Sequence, residues 1–461
     1  MKITTEIANP TESRTSRYFE FSKEKGIFKL DRSVYTDPDL FDLEMKYIFE
    51  GNWIYLGHES QVPKPGDYFS TTMGTQKVFL IRDRNEQIHA LLNACPHRGA
   101  TLCREAKGNK KYLTCTYHGW VFDLDGKLLQ AQRESEFGPS FDKTANALPK
   151  VARFENYRGF LFGSLNPNVP PLEDHLKGVK LIIDMLVDQS PEGKWEVLKG
   201  YNACTYKGNW KLMIENGGGD GLHVGPTHGN LMKIVQWKAR DKAGPQSVDF
   251  STFASPGQNK PGGLYALGNG HTLILQDFPD PSTRPSYFSF YPELVKKFGE
   301  KKAQWMCARF RQTCIYPNVF LMDQLATLIR YVRPIAVDKT EISFWCIAPV
   351  GEPDIARETR LRQFEEFFMA SGMGTTDDNE EFQAVQEGSS CRSSRWSNLS
   401  FGMSQMHWGP DEEAAAMGLG VEHCGIFGYE GASLAQFQRW RELLDQGIAS
   451  ACHFDEAKTI G

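Results

Sequence analysis

CPHRGATLCREAKGNKKYLTCTYHGW, residues 95–120, carries two short Cys-His pairs, Cys95-Pro-His97 and Cys115-Thr-Tyr-His118. Seventeen residues separate His97 from Cys115. Two tight pairs at this spacing suit a metal site built from two adjacent loops, each offering two ligands at the end of a β-hairpin. One such pair is as compatible with buried core residues as with ligands; a second pair shortly after the first favours ligands. Two Cys and two His can hold tetrahedral Zn²⁺. Zinc sites, however, more often group Cys with Cys and His with His, whereas each pair here mixes a thiolate with an imidazole. That mixture suits a binuclear iron–sulfur cluster, with both cysteines on one iron and both histidines on the other. Cys103 lies between the pairs, outside the pattern, and reads as an ordinary buried cysteine.

Around this stretch, strand-like runs recur at short spacing: residues 77–82, 88–93, 112–115, 119–123 and 159–164. Turn signals separate them, as at Pro63–Asp67, Asp83–Glu86 and Asp123–Gly126. The pattern predicts a small all-β domain over residues 50–165. Before it, residues 1–49 form an N-terminal segment. Met1–Ser22 is polar and expected to be partly disordered, and the stripe Phe41, Leu43, Met45, Ile48 and Phe49 predicts a helix that stops at Gly51. After it, Asn166–Pro171 reads as a linker and residues 166–461 as a second, mixed domain. Helices are expected over 172–187, 293–309, 354–371 and 436–444, strands over 194–206 and 340–349, and a long loop over 255–270. The fold class is α+β.

The chain has 461 residues, enough for two or three domains. It is 40% hydrophobic and 24% charged, as soluble globular proteins are. Its 52 Lys and Arg against 57 Asp and Glu give a net charge of −5, no electrostatic reason to expect nucleic acid or an anionic membrane as partner. There is no apolar run of transmembrane length and no secretory signal. Ten cysteines are too few for a disulfide scaffold, and a cytoplasmic location is expected.

A second constellation lies in GNWKLMIENGGGDGLHVGPTH, residues 208–228, which holds Asp220, His223 and His228. On an ideal helix, residues five apart point about 140° away from each other. Pro226 would disturb the turn, so a kinked or π-like turn is expected to bring both imidazoles together. The spacing alone reads more readily as two satisfied histidines near a loop, and Asp220 alone would read as a turn residue.

C-P-H-R-G followed by C-x-Y-H-G-W, with Arg98, Gly99, Gly119 and Trp120 in place, resembles the Rieske [2Fe–2S] motif of bacterial aromatic-ring-hydroxylating oxygenases. N-W-K-x₃-E-N-x₃-D-x-x-H-x₄-H resembles the mononuclear iron site of the same family. The stretches at 40–60, 159–167, 316–324 and 333–342 resemble the large (alpha) subunits of benzoate, toluate and halobenzoate 1,2-dioxygenases, with anthranilate and aniline dioxygenases as near relatives.

The resemblance implies a Rieske domain on a catalytic domain whose antiparallel sheet is flanked by helices, of helix-grip type. It implies one [2Fe–2S] cluster on Cys95, His97, Cys115 and His118. It also implies one Fe(II) per subunit on His223, His228 and a distant carboxylate, a facial triad with open positions for O₂. That carboxylate falls in the acidic run 375–382, where Asp378 matches the ligand and Asp377 is the runner-up. Asp220 matches an aspartate that bridges a Rieske histidine of one subunit and an iron-binding histidine of its neighbour, which would connect His118, Asp220 and His223. Asn216 matches a position near the iron.

Three departures bear on pocket shape: the small run Gly217–Gly219, Leu222 where the family commonly has Tyr, and Pro226. Arg309, Arg311, Arg330 and Arg333 are candidates to pair a substrate carboxylate, against the commoner surface or structural role of strand arginines.

The implied activity is insertion of both atoms of O₂ into an aromatic, benzoate-like acid to give a cis-dihydrodiol. Electrons would come from NADH through a separate reductase, with or without a ferredoxin, because no G-x-G-x-x-G fingerprint follows a strand in this chain. The family norm is a trimer, often α₃β₃ with a small beta subunit, otherwise α₃. A Rieske monooxygenase, or an aniline-, anthranilate- or salicylate-type hydroxylase, would share the ligands. A non-catalytic electron-transfer protein or a zinc-binding protein are the remaining classes.

Overall fold

The computed structural model describes residues 14–231, 233, 263–278, 280–369, 372 and 374–458. An antiparallel sheet forms the centre of the larger domain. Its order runs Trp195–Val197, Lys339–Pro349, Thr327–Ala336, Val319–Asp323, Arg309–Ile315, His271–Asp277, Gly263–Gly268, His423–Ile426 and His407–Trp408, with Asn202–Tyr206 also paired to Lys339–Pro349. Side chains alternate between two faces with the strand period of two. Ile274, Phe310, Phe320, Phe344 and Cys346 point into one apolar cluster with Trp210 and Trp440. Leu273, Leu275, Val319, Leu321 and Ile347 point into another, with the helix Val179–Val187. Both faces are covered, which explains why these strands read as nearly continuous apolar runs.

The smaller all-β domain is built from three sheets. Ile88–Leu92, Gln76–Arg82, Asp67–Met73 and Lys107–Asn109 form one; Leu128–Gln130, Val121–Phe122 and Leu113–Thr114 form the second. Arg153–Tyr157, Phe160–Ser164 and Ile54–His58 form the third. Buried Asn318 fixes this domain to the large sheet. Its Oδ1 accepts from Tyr55 N at 3.0 Å and its Nδ2 donates to Tyr55 O at 3.0 Å, so one amide side chain pairs the backbone as a strand would.

The sequence expectations are met in the order of elements and corrected in detail. Phe19–Ser22 is a strand, not disordered; with Ile27–Asp31 it forms a hairpin that pairs with Trp396–Asn398. Residues 1–13 lie outside the described residues. The helix expected over 172–187 breaks at Lys177, where φ is +50°, into Leu172–Leu176 and Val179–Val187. The helix expected over 293–309 begins earlier, at Pro285, and Arg309 opens a strand. The loop expected over 255–270 contains the strand Gly263–Gly268, and its part before 263 is outside the described residues.

The helix Trp210–Gly219 is held at both ends. At its start, Asn209 caps it by accepting from Lys211 N at 3.1 Å. Trp210 Nε1 donates to Glu44 Oε2 at 2.7 Å, Trp440 Nε1 to Glu44 Oε1 at 2.7 Å, and Lys211 Nζ pairs with the same buried carboxylate. One acid thus ties the N-terminal helix, this helix and the C-terminal helix Gly431–Lys458. At its end, carbonyls that a helix leaves without partners are met by side chains. Thr272 Oγ1 donates to Gly218 O at 2.7 Å, and Gln312 Nε2 donates to Gly217 O.

No space remains there for side chains. A Cβ on Gly217 would stand 2.7 Å from the Phe320 ring, and one on Gly218 or Gly219 would run into the Gln436 amide or the Ala432 methyl. Gly218→Ala is therefore expected to destabilise the fold by about 1–3 kcal/mol through overpacking. Gly388→Ala, in a helix and facing open space, is expected to stabilise by about 0.5–1 kcal/mol. Urea unfolding midpoints of the two variants check the contrast.

Candidate metal centres

The two Cys-His loops are built alike. Cys95 N donates to Ala100 O at 2.9 Å and Gly99 N to Cys95 O at 2.7 Å; Cys115 N donates to Trp120 O at 2.8 Å and Gly119 N to Cys115 O at 3.0 Å. Each turn needs a residue at positive φ, supplied by Gly99 (+74°) and Gly119 (+65°). Buried Asn93 holds the first loop from behind, accepting from Leu102 N and Cys103 N and donating to Cys103 O. Cys103 is itself buried, and burial pushes its thiol up to about 12.

Cys95 and Cys115 are buried beside each other; burial and the neighbouring thiol push Cys95 up. The His97 and His118 rings lie edge to face at 4.5 Å, and His97 stacks on Trp120 at 5.1 Å. His97 Nδ1 is buried with no hydrogen-bond partner, as expected of a nitrogen built to ligate.

Among the described residues, His223, His228 and Asp378 are the one set of three or more His, Cys, Asp or Glu donors that converge within 4.8 Å. The four loop residues therefore do not meet at one point. A tetrahedral zinc ion, with bonds of about 2.0–2.3 Å, would bring all four donors within about 4 Å of each other. Two thiols side by side and two imidazoles side by side fit a binuclear cluster instead.

The second set sits beyond the glycine run. His223 and His228 flank a single helical turn, Val224–Thr227, and their ring centroids are 5.2 Å apart. The turn is neither kinked nor π-like. Pro226 is tolerated because a helix this short asks no hydrogen bond of that nitrogen. Asp377 and Asp378 open the helix Thr375–Ser389, whose positive N-terminus favours carboxylates.

The two acids occupy different positions. Asp378 Oδ1 lies 3.5 Å from His223 Nε2 and 3.2 Å from His228 Nε2. Asp377 Oδ2 lies 3.5 Å from His228 Nδ1, and Asp220 Oδ2 lies 3.3 Å from His223 Nδ1. Each imidazole therefore has Asp378 at one nitrogen and a different carboxylate at the other. Asn216 Nδ2 donates to Asp378 Oδ1 at 3.4 Å. Asp220 is also a turn residue, with Oδ1 accepting from Leu222 N at 3.0 Å and His223 N at 3.3 Å. Burial works against a charged His223, but Asp220 and Asp378 outweigh it and shift it upward; Asp220 is correspondingly held down.

Asn216, Asp220, His223, His228 and Asp378 line a cavity whose other walls include Leu231, Ile274, Phe310, Met322 and Phe427. Of the four candidate arginines, Arg330 lines it. Arg309 pairs with Asp277 and Glu413, Arg311 with Asp323, and Arg333 with Glu341.

The contacts of Asp220 and of His118 do not include each other within one chain. Both reach solvent: the Asp220 side chain is 40% exposed, and Tyr117, packed on His118 at 3.7 Å, is 57% exposed. Sequence reasoning missed the role of Asp377 at Nδ1. It also missed Glu215, which burial pushes up to about 8 while Tyr35 donates to it at 2.8 Å. Their signals, an acidic pair and a Glu one turn after Trp210 and Lys211, were present without a way to assign them.

Residues 52–151 match the family described as Rieske [2Fe-2S] domain, and residues 192–440 the family described as ring hydroxylating alpha subunit (catalytic domain). The chain is 44% identical over 437 residues to toluate 1,2-dioxygenase subunit alpha of Pseudomonas putida, covering 93% of this chain and 94% of that protein. It is 43% identical to the 2-halobenzoate 1,2-dioxygenase large subunit of Burkholderia cepacia, covering 92% and 90%. It is 40% identical to the anthranilate 1,2-dioxygenase large subunit of Acinetobacter baylyi, covering 93% and 92%. Among solved structures, naphthalene 1,2-dioxygenase with indole bound superposes with a TM-score of 0.78 at 25% identity, covering 90% and 92% of the two chains.

Asp378→Ala is expected to abolish iron binding at the histidine pair while the visible absorption of the cluster remains. Asp377→Ala is expected to weaken that iron by about 10–100-fold, the usual effect of losing a partner behind a ligand. Iron titration followed by absorption spectroscopy checks both; the reverse pattern would exchange the two assignments.

Proposed function

The chain belongs to the ring-hydroxylating oxygenase alpha subunits that carry a Rieske [2Fe–2S] domain, and on that footing we propose that it is the oxygenase component of a multicomponent dioxygenase acting on a benzoate-like aromatic acid. The observation that carries this reading is the convergence of His223, His228 and Asp378 on one point inside an apolar cavity. A two-histidine, one-carboxylate set leaves coordination positions open, and the apolar part of the cavity wall suits an aromatic ring.

When bound, Fe(II) supplies the position at which O₂ is activated, and the cluster supplies electrons one at a time. The protein's own part is orientation. Asp220 and Asp377 stand 3.3 and 3.5 Å from Nδ1 of His223 and His228, where a carboxylate would favour the proton on Nδ1 and leave Nε2 free to ligate. Asn216 holds the Asp378 carboxylate in place. Cys95, Cys115, His97 and His118 hold the cluster, with the His118 edge outward. As the resemblance implies, Asp220 of one subunit would meet His118 of a neighbour, and both side chains reach solvent.

The relatives are named as large or alpha subunits, so a small subunit and an α₃β₃ assembly are proposed. An NADH-dependent reductase supplies the electrons, in the cytoplasm where NADH is found. Among the described residues no helix is long and apolar enough to cross a membrane. The reaction consumes the acid, O₂, two electrons and two protons, and yields a dihydroxycyclohexadiene carboxylate with both hydroxyls on one ring face.

Turnover of benzoate under ¹⁸O₂ with a reconstituted reductase tests the proposal. Both oxygen atoms of the new diol are expected to carry the label. A singly labelled phenol would instead establish monooxygenation, and no oxygenated product from any aromatic acid would remove the function.

A further inference from the structure

Arg330 differs from every other candidate arginine in having no ion-pair partner among the described residues. It lies within the strand Thr327–Ala336, is 4% exposed, and has Phe320 and Phe344 as cross-strand neighbours. Its guanidinium sits over three rings, at 5.8 Å from Phe320, 5.4 Å from Phe344 and 5.2 Å from Phe368. Its one hydrogen bond among the described residues is from Nη1 to the weak acceptor Met213 Sδ at 3.3 Å, and Nε is buried without a partner. Among the described residues no carboxylate lies within ion-pairing distance of it.

Burial pushes Arg330 down to about 10, so it remains a cation at neutral pH. The Asp378 carboxylate acts on it from a distance, but that charge is committed once a divalent ion occupies the site. A buried cation without a counter-charge is costly. Its retention makes sense if an anion arrives with the substrate. The cavity's amides do not offer an alternative cation-like donor set: Gln324 Nε2 donates to Gln312 Oε1, and Gln312 Nε2 to Gly217 O.

We propose that Arg330 is the residue that binds the carboxylate of the aromatic acid, and so sets the preference of this cavity for acids over neutral rings. The inference rests on the aromatic-acid reading above and deepens it. The planar guanidinium offers parallel N–H donors to a carboxylate, and the phenylalanines around it exclude competing water. The ring of the acid then lies among Leu231, Ile274, Phe310, Met322 and Phe427, beside His223 and His228. Arg330 acts on where the ring is held, and is a specificity-determining residue rather than a catalytic one.

The test is calorimetric binding of benzoate and of its neutral isostere benzamide to the holoenzyme, with cluster absorption and iron content recorded for each variant. The wild type is expected to prefer benzoate by at least about 10-fold, in line with a hydrogen bond to a charged group. Arg330→Met is expected to lose about 10–100-fold in benzoate affinity and to leave benzamide within about threefold. Arg330→Lys is expected to recover part of the benzoate preference. Equal losses for both ligands, or no loss for benzoate, would make Arg330 a packing residue and overturn the inference. Should the Met variant fail to load its metals, equal wild-type affinity for the two ligands would overturn it as well. A wild type that hydroxylates benzoate while showing any of these results loses only the role of Arg330. A wild type that neither binds nor hydroxylates an aromatic acid loses the proposed function with it.

Discussion

Three consecutive glycines end the helix Trp210–Gly219 where it is squeezed between the large sheet and the C-terminal helix, and the second metal centre hangs from that point. Phe320 presses from the sheet, and Gln436 and Ala432 from the helix. The close approach lets Thr272 and Gln312 reach the carbonyls of Gly218 and Gly217, which the helix itself leaves without partners. The chain then leaves through Asp220 in a fixed direction, and one helical turn later both histidines are in place. At the other end, Glu44 receives two indole N–H groups and the Lys211 ammonium. Burial lowers Lys211, yet the carboxylate beside it opposes the shift. Such a pair is weak evidence for stability but strong evidence for a fixed geometry.

Carboxylate placement explains how a few acids take different roles within one site. Asp378 faces Nε2 of both imidazoles, while Asp220 and Asp377 each stand behind one. The inner acid is fit to hold a metal and the outer acids to fix tautomers. Asp220 has the additional property of being reachable from outside the chain.

Much of this was legible in the sequence. The paired Cys-His loops were readable because both metal chemistry and the positive-φ glycines Gly99 and Gly119 leave a fixed spacing. The partition of the chain into an all-β and a mixed portion was readable from short strands between turn residues. Asp378 was reached by resemblance, since nothing local joins it to residues 150 positions earlier. Gly217–Gly219 looked like a departure that altered the pocket, whereas the structure shows them to be a packing requirement. The role of Arg330 was not separable from those of Arg309, Arg311 and Arg333, because ion pairing depends on Asp277, Asp323, Glu341 and Glu413, which are brought near only by the sheet. The turn between the histidines was misjudged because an ideal helix was taken as reference, and the real one lasts a single turn.

On the proposed reading the two centres work as one unit through Asp220, with the cluster of one subunit serving the iron site of the next. A single-turnover experiment on Asp220→Asn tests it directly, using a pre-reduced cluster, substrate and O₂. The substitution keeps size and turn-forming capacity but removes the charge that fixes the imidazoles. Normal iron content, normal cluster absorption and very slow reoxidation of the cluster are expected. Rapid reoxidation with normal product yield would show that Asp220 only shapes the turn, and that electrons cross by another route.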